Sequence, residues 1–87
     1  MAAGEATPGR RVRDKHAWEF EPCDYGNRES NWYGVTPNGL LCTLTKHTVT
    51  EHEDGTITVS PSILCKRNGA EPLTWHGCLE RGVWREV

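Results

Sequence analysis

Along "TVTEHEDGTITVS", residues 48–60, apolar and polar positions alternate on both sides of a polar Glu-Asp-Gly, the pattern of a β-hairpin. A three-residue loop, Glu53-Asp54-Gly55, closed by glycine in the left-handed region, pairs His52 with Thr56, Glu51 with Ile57 and Val49 with Val59. A two-residue Asp54-Gly55 loop would put the two valines on opposite faces, so cross-strand apolar pairing selects the longer loop. The C-terminal "TWHGCLERGVWREV" is read with the same device, a loop at Glu80-Arg81-Gly82. That register sets Leu79 against Val83, Cys78 against Trp84 and His76 against Glu86. Trp75, Leu79, Val83 and Val87 then form a core face, with His76, Cys78, Trp84 and Glu86 on the other.

Upstream, "HAWEFEPC" alternates as a half-buried strand with Trp18 and Phe20 on one side. "DYGNRESN" reads as a polar loop, and "WYGVTPNG" as a short strand ending in a Pro-Asn-Gly turn. In "LLCTLTKHTVT", Leu40, Cys42 and Leu44 alternate against Leu41 and Thr43. "SPSILCKRNGAEP" carries a bend at Pro61 and a polar turn at Asn68-Gly69. No sustained 3.6-residue period occurs anywhere. The expected fold is all-β: one small domain over 16–87, an open barrel or sandwich of antiparallel hairpins, preceded by a disordered basic leader over 1–15.

Composition sharpens this picture in two places. The chain has 87 residues and only 36% hydrophobic positions, near the lower limit for a self-sufficient core. Its four tryptophans, Trp18, Trp32, Trp75 and Trp84, are expected to supply much of that core. The net charge of −2 is uneven: Arg10, Arg11, Arg13 and Lys15 crowd the leader, whereas from His16 onward ten acids outnumber six Arg and Lys. A mildly acidic folded part is a poor surface for tracking phosphates in general. The leader alone could contact nucleic acid. No apolar run is long enough to cross a bilayer, so no membrane role is expected. "MAAGEATPGRR" lacks the apolar middle of an export signal, which points to a cytoplasm and reduced thiols.

Four cysteines and four histidines raise the question of zinc. No C-x2-C spacing is present, and closely spaced pairs are what preform half a tetrahedral site. His76 and Cys78 point the same way on a strand and could supply one half, with Cys42 and Cys65 as the other. Otherwise no cofactor is expected and the cysteines behave as small buried hydrophobes. Catalysis is not expected. His76 and Cys78 lie roughly 7 Å apart along a strand, too far for a nucleophile–base hydrogen bond. Binding remains, with Trp84, His76, Glu86, Trp32 and Tyr33 as candidate partner contacts. Small sheets also expose edges that can pair between copies, so self-assembly, for example into a virion, is open.

"EDGTITVSPSI" followed by "WHGCLERGVW" resembles a family of short bacteriophage and prophage proteins of unknown function. Their C-terminal half runs through a D-G strand, a Pro-Ser-Ile bend, a His-containing strand and a Gly-Val-Trp hairpin. The similarity spans roughly residues 45–87. It implies that Pro61, Ser62 and Ile63 form a structural bend and that His76 is the family's histidine. Some members suggest zinc through a Cys-rich knuckle and a cysteine directly before the histidine. Here no knuckle is present and Cys78 follows His76 instead. The resemblance implies a phage accessory protein acting in an infected bacterium and implies no enzymatic activity; together with the residues it gives the expectation of an interaction module that binds a host or phage macromolecule, a protein first, in the bacterial cytoplasm.

Overall fold

A computed structural model describes residues 6–70 and 72–87. It is an all-β domain of two sheets that do not close into a barrel. In chain order the strands are β1 Ala6–Pro8, β2 Arg10–Arg11, β3 Asp24–Arg28, β4 Asn31–Val35, β5 Leu41–Thr43, β6 Thr48–Glu51, β7 Ile57–Arg67, β8 Leu73–Glu80 and β9 Val83–Glu86. A single 3-10 turn, Ala17–Glu19, interrupts the series. One sheet has the order β1-β9-β8-β7-β6 and the other β2-β3-β4-β5. Neighbours are antiparallel except β2 and β3. Among the described residues no helix is long and apolar enough to cross a membrane.

The core lies between the sheets. Tyr25, Leu40, Cys42 and Leu44 from one meet Ile57, Val59, Ile63, Trp75, Leu79 and Trp84 from the other. The Trp75 and Trp84 rings pack edge to face, centroids 5.5 Å apart. Each large ring needs a missing side chain opposite. A Cβ on Gly34 would stand 2.9 Å from the Trp84 ring, and one on Gly77 would run into the Trp75 ring and the Arg85 carbonyl. Cys42 and Cys65 are joined in a disulfide, Cα–Cα 6.0 Å, which ties β5 to β7 and so one sheet to the other.

The β6–β7 hairpin has the expected register: Glu51 pairs with Ile57 and Val49 with Val59, with Gly55 at φ 88°. Leu40, Cys42 and Leu44 are buried while Leu41 and Thr43 are exposed, as their alternation requires. At Pro61 the strand does not end but bulges. Between the Val59–Leu79 and Ile63–Gly77 pairs, three residues of β7, Ser60, Pro61 and Ser62, oppose one of β8, Cys78.

Four sequence expectations are corrected. The β8–β9 loop has two residues, not three: Glu80 pairs with Val83, Leu79 with Trp84, Cys78 with Arg85 and Gly77 with Glu86. Arg81 and Gly82 both take positive φ, 46° and 78°, the twist that suits a two-residue hairpin. The one-residue slip turns Trp84 into the core, fully buried, and leaves Val87 exposed. Secondly, residues 16–23 contain no strand; the 3-10 turn puts Trp18 in solvent at 77% exposure.

Thirdly, "DYGNRESN" is mostly strand β3, closed by a two-residue turn in which Glu29 and Ser30 have φ 52° and 76°. Lastly, the leader is ordered from Ala6 to Arg11. The Gly9 amide donates to the Gly82 carbonyl at 2.7 Å, and the Val12 amide to the Tyr25 carbonyl at 2.9 Å. Of the rest of the leader expectation, residues 13–15 carry no strand or helix and residues 1–5 fall outside the described residues.

Candidate functional site

The basic cluster is spent largely on the fold. Arg10 makes a bidentate pair with Asp24, both contacts 3.0 Å, across the parallel β2–β3 register. Asp24 is only 2% exposed and also accepts from the Glu21 amide at 2.9 Å, so its carboxylate is neutralised where water cannot reach. The pairing raises the Arg10 pKa, first through the hydrogen bond and then through the charge of Asp24.

Arg11 bridges the sheets. Its guanidinium donates to Glu51 at 2.9 Å and to the Gly55 carbonyl at 2.7 Å, and it lies 5.0 Å from the Trp32 ring centroid. Two of the four cations assigned to nucleic acid are therefore internal ties, while Arg13 and Lys15 lie on the connection to the 3-10 turn.

The zinc set does not assemble. Cys42 and Cys65, expected as thiols or ligands, are consumed by the disulfide on the inner face. His76 and Cys78 project from the outer face of β8, because they alternate with buried Trp75, Gly77 and Leu79. Among the described residues no group of three His, Cys, Asp or Glu side chains is placed to hold a metal ion. His76 instead meets Ser62, Nε2 to Oγ 3.2 Å. Both are exposed, and among the described residues no carboxylate is hydrogen-bonded to the imidazole. The pair bridges the bulge of β7 to β8 and lacks the third group that would orient a base.

The partner contacts expected from sequence scatter. Trp84 is buried, with its indole Nε1 donating to the Cys23 carbonyl at 3.0 Å, and cannot anchor a partner. Trp32 is half-buried beneath Arg11, and Tyr33 is half-buried on the outer face of β4. His76 and Glu86 are exposed but not opposite each other, since Glu86 pairs with Gly77.

The residue that sequence reasoning missed is Trp18. Its ring stacks on His16, centroids 4.2 Å apart and planes within 5°. The 3-10 turn beneath is pinned by the His16 amide donating to the Glu19 carboxylate at 2.8 Å and the Glu19 amide to the His16 carbonyl at 2.9 Å. One face of the indole is covered and the rest is open. The signal was present in "KHAWEF": a histidine two residues before the tryptophan and a glutamate three after the histidine, an arrangement that caps a turn as readily as it alternates along a strand.

Of the two free cysteines, Cys23 has its thiol pKa pushed up, first by burial and then by the neighbouring charge of Asp24. It is therefore a poor nucleophile at neutral pH. No protein-family model, no curated protein and no solved structure matches the chain.

Proposed function

We propose that the chain is a non-enzymatic interaction module, a phage accessory protein that captures a host or phage protein in an infected bacterium. The observation that carries the binding role is Trp18, 77% exposed and held in place by His16. A tryptophan left in water forgoes the gain of burying a large apolar ring. Fixed by stacking and by a capped turn, it loses little further entropy when a partner covers it, and this is how interface anchors achieve affinity. The phage setting and the non-enzymatic character both rest on the resemblance of the C-terminal half.

The test replaces Trp18 with a photo-crosslinking amino acid in one variant and with alanine in another. The expected outcome is a single crosslinked bacterial or phage protein, whose capture by the wild-type chain is lost in Trp18→Ala while the far-ultraviolet spectrum is unchanged. Capture that ignores Trp18→Ala overturns the anchor. Binding to RNA or DNA that weakens steeply with salt and vanishes on neutralising Arg13 and Lys15 would select the nucleic-acid alternative.

A further inference from the structure

The outer face of the β6–β9 region carries side chains that the core and the Trp18 site do not use. From the strand register, Lys66 lies beside Thr74, and Leu64 beside His76. The Val87 amide donates to the His76 carbonyl at 3.0 Å, so Leu64, His76 and Val87 form one transverse row. Leu64 is 57% exposed and Val87 69%. Further along the same face the bulge at Pro61 opens a hollow of ≈ 220 Å³ lined by Ser60, Pro61, Ser62, Cys78, Glu80 and Arg85. Beyond its floor Glu80 projects, its side chain 64% exposed and only loosely paired with Arg85 at 3.9 Å. Lys66, at the opposite end, is exposed.

We propose that this face is a self-complementary dimer interface, in which Leu64 of each copy fills the bulge hollow of the other and Lys66 of each meets Glu80 of the other. Two independent relations support the same symmetry axis. A two-fold axis lying across the strands exchanges positions equidistant from it along β8. Lys66, beside Thr74, and Glu80 have their midpoint at Gly77. Leu64, beside His76, and the hollow between Cys78 and Glu80 have theirs between Gly77 and Cys78. A single isologous axis therefore seats the apolar knob in the hole and joins opposite charges at both ends.

Within one copy Lys66 and Glu80 lie about 20 Å apart along the sheet, so the two symmetric ion pairs form at opposite ends of the contact. Four strands by the length of β8 give roughly 500 Å² of sheet per copy, on the order of 1,000 Å² in total, enough for a specific but weak interface. The expected association is micromolar. The interface goes beyond the Trp18 site and does not depend on it.

Sedimentation velocity of the full chain between about 1 and 300 μM reads the outcome, since micromolar affinity places the monomer–dimer transition in that range. Leu64→Asp should leave a monomer with an unchanged circular dichroism spectrum. Lys66→Glu and Glu80→Lys should each weaken dimerisation about tenfold or more, by placing like charges together at both ends. The double variant Lys66→Glu/Glu80→Lys should return to within about threefold of wild type, because the pair is restored with its signs exchanged. A wild-type chain that stays monomeric throughout, a dimer that ignores either charge reversal, or a double variant no better than the single ones overturns the proposal.

Discussion

The indole Nε1 of Trp84 donates to the backbone carbonyl of Cys23 at 3.0 Å, which joins β9 of one sheet to the residue just before β3 of the other. That carbonyl also accepts from the Arg10 amide at 3.0 Å, so three separate parts of the chain meet at one peptide oxygen. Trp84→Phe keeps an aromatic ring but removes the donor and part of the volume. It is expected to cost about 1–3 kcal/mol in urea unfolding.

Gly34→Ala tests the same packing from the other side. The added methyl would sit 2.9 Å from the Trp84 ring and 3.4 Å from Leu44, with no flexible side chain able to give way. A loss of about 1–3 kcal/mol is expected from overpacking, with near-ultraviolet circular dichroism reporting the displaced indole.

Arg10→Ala should loosen β2 more than the sheet as a whole. It leaves the buried Asp24 carboxylate with the Glu21 amide, at 2.9 Å, as its remaining hydrogen-bond donor among the described residues, and removes the tie that holds β2 in register. Hydrogen exchange should accelerate at Val12, whose amide bonds the Tyr25 carbonyl, while Leu79 stays protected. Equal acceleration at both would show that the pair supports the whole domain rather than one edge.

Cys42→Ser/Cys65→Ser removes a link between residues 23 apart in sequence and on different sheets. The released chain entropy of the unfolded state predicts a loss of about 3 kcal/mol, read as a lower midpoint in denaturant. A reductant should lower the wild-type midpoint toward that of the double variant and leave the variant itself unmoved.

Acid sensitivity should include a contribution from Asp54. Its carboxylate accepts from the Thr56 hydroxyl at 2.6 Å and the Thr56 amide at 3.0 Å, and these bonds hold its pKa below the ordinary carboxylate value. The folded state therefore favours the charged form. The stabilisation is present above the unfolded value of about 3.9 and is lost as pH falls through the lower folded pKa. Asp54→Asn should reduce stability at neutral pH and flatten this part of the acid limb, measured by urea unfolding from pH 7 down to pH 2.5.

Much of this architecture was legible in the residues. Val49 facing Val59 across Glu53-Asp54-Gly55, and the buried Leu40, Cys42 and Leu44, follow from period-two alternation and one glycine turn. Strand β3 was hidden because its residues are placed by partners: Asp24 by Arg10, and Tyr25 by the packed core between the sheets. Trp18 was misplaced because alternation in "HAWEFEPC" fits a strand and a capped turn equally well.

The sequence by itself determined the all-β class and the β6–β7 register, since these depend on local backbone preferences and on which neighbours alternate. Only the tertiary structure decided the β8–β9 register, the disulfide partner of Cys42 and which tryptophan faces water. Each of those choices is a competition for volume in a small core. Trp84 could enter because Gly34 makes room for it, and residues that distant along the chain compare sizes only once the sheets have met.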